Sequence, residues 1–412
     1  MHHLKITAII AILLLISSSS CDVRKHTNEQ ELTEEKLPPV ESQNPNTQYQ
    51  PAFEGQTRVA GVKTETPYSI TTLTTELDKP WAVVELPDGR LVITEKDGAI
   101  RLVTKDGSVS SKIKGFSDVD NRNQGGLLDV APAPDFETSR VLYFSLAERT
   151  PKGSLTAIGK GRLSDDESVI ENFTIIYRAI PYFDNSMHFG SRLLFDKAGN
   201  IFLSTGERSS LETRYNAQKL ETAHGKVIHI TPEGKPVEGN PFLNTPGVLP
   251  EIYSYGHRNP QGLAINPATG DLWLSEMGPR GGDEINLIKP GVDYGWPTIT
   301  YGIEYNGNKV GDGITQKEGM KQPVYYWDPV LSPSGMAFYS SKEIPEWQNN
   351  LFIGGLSSKH ICRLVIENNK VVGEERLLVD EGERIRDVGE GKDGALYAVT
   401  DSGKLLRIGK PN

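Results

Sequence analysis

The sequence predicts an all-β chain folded as a six-bladed β-propeller, and three observations carry that expectation. The 412 residues include 41 glycines and 26 prolines, a turn-rich composition in which helical periodicity is nearly absent. Short runs of alternating apolar residues joined by Asp, Asn or Gly turns recur along the chain. There are six such units, and repeated four-stranded sheets of this kind close into a propeller.

Taken in order, residues 1–20 read as a signal peptide. Lys5 precedes the apolar run "ITAIIAILLLI", which is too short to cross a bilayer and is followed by "SSSS". Cys21 comes next and resembles a bacterial lipoprotein processing site, with Ser18 standing where that pattern usually has leucine. The expectation is an exported protein, periplasmic or on the outer cell surface, held to the membrane only by a lipid on Cys21; plain secretion is the alternative. Residues 21–66 are polar, proline-bearing and without apolar periodicity, so they are expected to form a flexible linker.

Residues 67–412 carry the repeats. The first unit, "VVELPDGRLVITEKDGAIRLVTKDG", alternates strands with Asp-Gly turns, the strongest short-range hairpin signal. Others begin at "APAPDFETSRVLYFSLAE", "LLFDKAGNIFLSTGER", "LAINPATGDLWLSEMG", "AFYSSKEIPEWQNNLFIGG" and "VGEGKDGALYAVTDSG". The early stretch "YSITTL" supplies a strand that closes the ring. Only Cys21 and Cys362 could form a disulfide, and Cys362 in "HICRLVI" reads as a small buried hydrophobe.

Charge and motifs exclude several functions. A net charge of −10 with no long Lys/Arg run argues against nucleic acid. No GxGxxG follows a strand and opens a helix, "SPSG" is not a nucleophile elbow, and His224 and His229 would point to opposite faces of a strand, wrong for a shared zinc.

In a propeller, loops from distant blades converge on one mouth of the channel. The loops richest in polar residues are "NRNQGGLLDV" (121–130), "NSMHFG" (185–190), "YSYGHRNPQG" (253–262), "EMGPRGGDEINLI" (276–288), "DYGWP" (293–297) and "GERIRDV" (382–388). In these motifs, and over about Leu77 to Ile408, the sequence resembles the soluble quinoprotein aldose sugar dehydrogenases of the glucose/sorbosone dehydrogenase family.

That resemblance implies a propeller holding pyrroloquinoline quinone (PQQ) and Ca²⁺, oxidising aldoses at C1 to the lactone and passing electrons to an external acceptor, a quinone or a cytochrome. It implies His188 as catalytic base, titrating near an ordinary histidine pKa. It assigns the cofactor to Gln124, Arg258, Asn259, Tyr305, Gly355, Leu356, Ser357, Arg384, Ile385 and Arg386, and the metal to Gly278, Pro279, Glu284 and Tyr294. Chemistry agrees independently: a tricarboxylate suits guanidinium forks, and calcium takes hard oxygens including backbone carbonyls. One departure stands out, because Ser357 occupies the place of a family lysine and the nearest lysine, Lys359, comes two residues later. The alternatives are a calcium-dependent propeller lactonase or other hydrolase, and a propeller that only binds sugar or protein.

Overall fold

In the computed structural model, residues 37–411 are described; the signal peptide, Cys21 and linker residues 22–36 lie outside them. Six antiparallel sheets follow one another along the chain. Blade 1 contains β2 (Pro80–Glu85), β3 (Leu91–Glu95) and β4 (Ala99–Val103). Blade 2 contains β5 (Leu127–Pro132) to β8 (Ile170–Arg178), and blade 3 β9 (Gly190–Phe195), β10 (Ile201–Thr205), β11 (Lys226–Ile230) and β12 (Ile252–Tyr255). Blades 4 and 5 run from β13 (Pro260–Ile265) to β16 (Tyr325–Trp327) and from β17 (Pro333–Phe338) to β20 (Lys370–Leu377). Blade 6 contains β21 (Ile385–Glu390), β22 (Leu396–Thr400) and β23 (Leu405–Gly409), and its outer strand is β1 (Ser69–Thr74) from the start of the domain. The ring is therefore closed as "YSITTL" predicts, with Ile70 opposite Ile408.

Blade 1 departs from the four-stranded expectation. Its fourth strand is reduced to isolated bridges, Ile100 with Ile113 and Val103 with Val109. The turns follow the sequence signals: Gly89 and Gly98 sit at φ 88° and 93°, conformations that Asp-Gly turns require.

Burial explains why the alternation is clearest only at the rim. All residues of Leu91–Glu95 and of Ile201–Thr205 are buried, whereas the outer strand Ile170–Arg178 alternates between buried and exposed. Blades stack face to face, so a middle strand is covered on both sides and an outer one on a single side. Between blades 4 and 5 the filling includes Trp273, Trp327, Met336 and Phe338; Cys362 is buried there too, as a free thiol.

Residues 37–66 correct the linker expectation. They are laid along blades 4 and 5: Asn46 and Thr47 donate backbone N–H groups to Asp328 at 2.8 and 3.0 Å. Gly61 pairs in parallel with Glu374 on β20, covering the edge of blade 5 that would otherwise be open. Thr64 Oγ1 donates to Glu375 Oε2 and accepts from Trp347 Nε1, both at 2.7 Å. Low local hydrophobicity predicts no order here, yet the segment is held by hydrogen bonds to distant partners. Thr64→Ala, which strands two buried partners, is expected to lower stability by about 1–3 kcal/mol in chemical denaturation. An unchanged midpoint would show that the segment contributes nothing to the fold.

The innermost strands β2, β5, β9, β13, β17 and β21 contact one another in a ring around the axis. Their first residues therefore share one face of the ring, and that face carries the candidate site.

Candidate active site

At that face lies a cavity of about 210 Å³ to which every blade contributes. Gln124, Asn259, Leu356, Ser357, Arg384 and Arg386, all expected from the sequence, line it. Trp81, Leu128, Phe189, Gly190, Gln261, Met277 and Ser332 complete the lining without having been expected there.

His188 stands two residues before β9. Its N–H donates to Gln124 Oε1 at 2.8 Å, and its Nδ1 meets Glu207 Oε1 at 2.6 Å. Gly190 pairs with Thr205 across the β9–β10 hairpin, so two residues outward on each strand, 188 and 207, come opposite one another. The register shifts by one residue between Leu203 and Thr205, so counting outward from the turn points to Arg208, and only this bulge sets Glu207 opposite His188. Close packing makes the approach possible: a Cβ on Gly206 would lie 2.2 Å from the His188 carbonyl oxygen. His188 itself adopts φ 50°, a strained conformation for a non-glycine residue that its surroundings enforce.

The electrostatics of the pair are consistent on both sides. Burial, then the Arg258 charge, pushes the His188 pKa down to about 4, against the opposing pull of Glu207. For Glu207, burial works upward but the hydrogen bond and charge of His188 prevail and hold the carboxyl below its usual value. At neutral pH the stable arrangement is thus neutral imidazole and carboxylate, with the proton on Nδ1 and the Nε2 lone pair free. The expectation of an ordinary histidine pKa is corrected accordingly. Glu207 Oε2 is buried without a partner.

Across the cavity, Arg384 and Arg386 lie on one face of the chain around β21 and share Asp401: Arg384 Nε donates to Oδ2 at 2.8 Å, Arg386 Nε to Oδ1 at 2.8 Å. Ile385 points the other way, fully buried, and its carbonyl accepts from Ser334 Oγ. Burial opposes it, but the two guanidinium groups hold Asp401 below its usual pKa. Two cations against one carboxylate leave net positive charge at the lining. Lys96 lies near Arg386 without lining the cavity: its Nζ donates to Asn123 O at 2.5 Å, and burial followed by the Arg386 charge lowers its pKa. Lys359 is exposed at φ 56° and does not line the cavity. Ser357 accepts a hydrogen bond from Ser332 Oγ, and Gly355 backs the loop, where a Cβ would lie 2.0 Å from Ser358 Oγ.

Beside this cavity is a much smaller one lined by Arg258, Glu276, Gly278, Glu284, Tyr294 and Trp296. Arg258 Nη1 donates to the carbonyls of Gly278 and Met277 at 2.6 and 3.1 Å, while its Nε is buried without a partner. Pro279 is buried next to Gly302. Glu276 and Glu284 both accept from the Asn286 amide at 3.1 Å. Burial, then the Glu276 charge, raises the Glu284 pKa well above its ordinary value. Tyr294 stacks on His257 at 4.9 Å and donates its hydroxyl to Leu287 O. Among the described residues no three carboxylate, imidazole or thiolate side chains converge as a metal cage. A hard cation here would draw on backbone carbonyls.

Five expected residues line neither cavity: His188, Pro279, Gly355 and Ile385 are buried, and the fifth is Tyr305. It is 72% exposed, in a loop whose neighbouring Glu304 is tied to Arg214. The two remaining histidines singled out in the sequence serve the structure: His224 Nε2 meets Pro181 O, and His229 lies between Asp196 and Asn240.

Fold and site together define a six-bladed propeller with a polar, arginine-lined cavity at one mouth of the channel as its candidate active site. The chain belongs to the glucose/sorbosone dehydrogenase family, whose model matches residues 77–407. It is 43% identical to aldose sugar dehydrogenase YliI of Escherichia coli (strain K12) over 349 residues, 84% of this chain and 93% of the relative. The apo form of the soluble aldose sugar dehydrogenase from Escherichia coli superimposes with a TM-score of 0.80 at 43% identity, covering 84% of this chain and all of the other. The PQQ-bound form of an aldose sugar dehydrogenase from Streptomyces coelicolor gives 0.70 at 26% identity, covering 84% and 99%. The protein is an oxidoreductase of this family.

Proposed function

We propose that the protein oxidises aldose sugars at the anomeric carbon to the lactone, with PQQ and Ca²⁺ bound at the channel mouth and electrons passed to an external acceptor. The observation that carries this reading is the arginine-lined cavity with the buried His188–Glu207 pair at its edge: His188 directly precedes Phe189 and Gly190 of the lining and donates its backbone N–H to Gln124. A relative binds PQQ, and the lining suits the same group: net positive charge from Arg384 and Arg386 fits a polycarboxylate, and Gln124 and Asn259 offer neutral polar contacts. The neighbouring cavity suits a divalent cation. Two buried carboxylates sharing one amide, an unpaired Asn286 Oδ1 and the Gly278 carbonyl form a hard-oxygen set that a positive ion would stabilise. In this reading Gly278 and Pro279 would offer backbone carbonyls to one calcium ion, and Glu284 and Tyr294 would hold a further one.

Bound there, the quinone supplies a two-electron hydride acceptor. His188 Nε2 takes the proton from the anomeric hydroxyl as the C1 hydride departs. Glu207 keeps the other ring proton on Nδ1, fixes the ring plane and stabilises the imidazolium that forms. Arg384 and Arg386 orient the cofactor, and the buried walls Phe189 and Leu128 keep water from the reacting atoms. Signal-directed export, with a lipid on Cys21, belongs to the same proposal.

Reconstitution tests it: purified protein supplied with PQQ, Ca²⁺, glucose and a redox dye should reduce the dye only when PQQ is present. Lactone hydrolysis without PQQ would indicate a hydrolase, and silence in both assays a binding propeller. Arg386→Ala removes a charge-assisted contact worth about 1.5–3 kcal/mol, so half-saturation should need roughly 10–150 times more PQQ, with turnover recovering at saturation. An unaltered PQQ titration would remove this arginine from the cofactor's contacts.

A further inference from the structure

The channel does not run open beneath the cofactor cavity. Trp81, on β2, lines the cavity and is 2% exposed. Behind its ring lies the guanidinium of Arg192, with Cζ 4.3 Å from the ring centroid. Arg192 is held from three sides in the channel: Nη1 meets Asp129 Oδ1 at 3.1 Å and Asp387 Oδ2 at 3.2 Å, and Nε donates to Gln261 O at 3.1 Å. These partners come from blades 2, 6 and 4, while Arg192 belongs to blade 3 and Trp81 to blade 1. Beyond them a second cavity of about 460 Å³ opens, and Asp129, Arg192 and Asp387 line it.

The geometry points to Trp81 as the stacking floor of the cofactor cavity, an indole clamped from behind by Arg192 so that its other face receives a planar aromatic ligand. The inference rests on the PQQ reading and adds a positioning residue to it. Three physical points support it. A guanidinium on one face of an indole is attracted to the ring and holds its orientation. An aromatic face stacks favourably on a flat conjugated system, a contact that a simple anion of equal charge cannot make. The Arg192 cluster joins five blades at mid-channel, which makes the platform rigid and separates the cofactor side from the 460 Å³ cavity. Arg192 itself is a poor probe, because removing it leaves two buried carboxylates without their cation.

The test uses Trp81→Phe and Trp81→Leu in the whole chain, with PQQ affinity measured directly by equilibrium dialysis in the presence of Ca²⁺. Loss of the aromatic face in Trp81→Leu should weaken PQQ binding on the order of 10–100-fold, the range that single-ring stacking commands elsewhere. Trp81→Phe, which restores a ring, should recover most of the affinity. A role in packing alone would move melting temperature in both variants without that separation in affinity. PQQ titration should also quench tryptophan emission in the wild type, with a clearly smaller fractional quench in Trp81→Phe, since the residue nearest the quinone is gone. Equal PQQ affinities for wild type and Trp81→Leu would overturn the stacking floor while leaving the PQQ reading intact. A wild type that binds no PQQ overturns both.

Discussion

Replacing His188 with glutamine is expected to lower sugar oxidation by about 10²–10⁴-fold while PQQ and Ca²⁺ still bind. Glutamine keeps much of the size and hydrogen bonding of imidazole but cannot take up a proton near neutrality. Cofactor binding should survive because the arginine pair and the carbonyl-lined cavity do not include the imidazole. The wild-type profile adds a second check. With the His188 pKa at about 4, the free base predominates at higher pH, so kcat/KM should stay level from pH 8 down to about 5 and fall as pH approaches 4. Measured dye-linked rates across that range decide it. A wild-type rate in His188→Gln would make the histidine a loop residue only.

Glu207→Gln is expected to reduce turnover by a similar roughly 10²–10⁴-fold, although the residue touches no substrate. The carboxylate accepts the Nδ1 proton at 2.6 Å and so leaves Nε2 free. An amide nitrogen in its place would donate to Nδ1 and put the ring proton on Nε2, where it blocks proton uptake. The sign of the pH effect follows from the charges. Glu207 raises the affinity of His188 for a proton, so its loss weakens the base and moves the acid limb to lower pH. The variant should therefore show a depressed rate with a limb displaced downward, and PQQ affinity near that of the wild type. A merely structural role would lower the amount of folded protein and leave the limb in place; that outcome would remove Glu207 from the proton chemistry.

The two variants also show how much of the site could be read before the fold. His188 lies in a loop, "NSMHFG", whose neighbours are recognisable, and Glu207 lies in the repeat unit "LLFDKAGNIFLSTGER" with no role attached. The hairpin between them is local, but a one-residue register shift inside it, which the sequence does not announce, sets Glu207 rather than Arg208 opposite His188. Trp81 carries no local signal, because it reaches the cavity only through the closure of the ring. Tyr305 shows the converse, a residue placed at the cofactor by motif that stands 72% exposed in its loop.

By itself the sequence determined the blade count, the closing strand and the loops that converge, because strand alternation and Asp-Gly turns are local properties that hold wherever the unit sits. It also determined the charge type of the site, since guanidinium groups and hard oxygens keep their chemistry in any fold. Tertiary structure alone decided three other things. It turned polar residues 37–66 from an expected linker into a strap, because their partners Asp328, Glu374 and Glu375 lie about 300 residues away in sequence. It set Arg258 on the Gly278 carbonyl. It also moved the His188 pKa to about 4, because desolvation and neighbouring charge depend on what surrounds a group in space, and no stretch of chain carries that information.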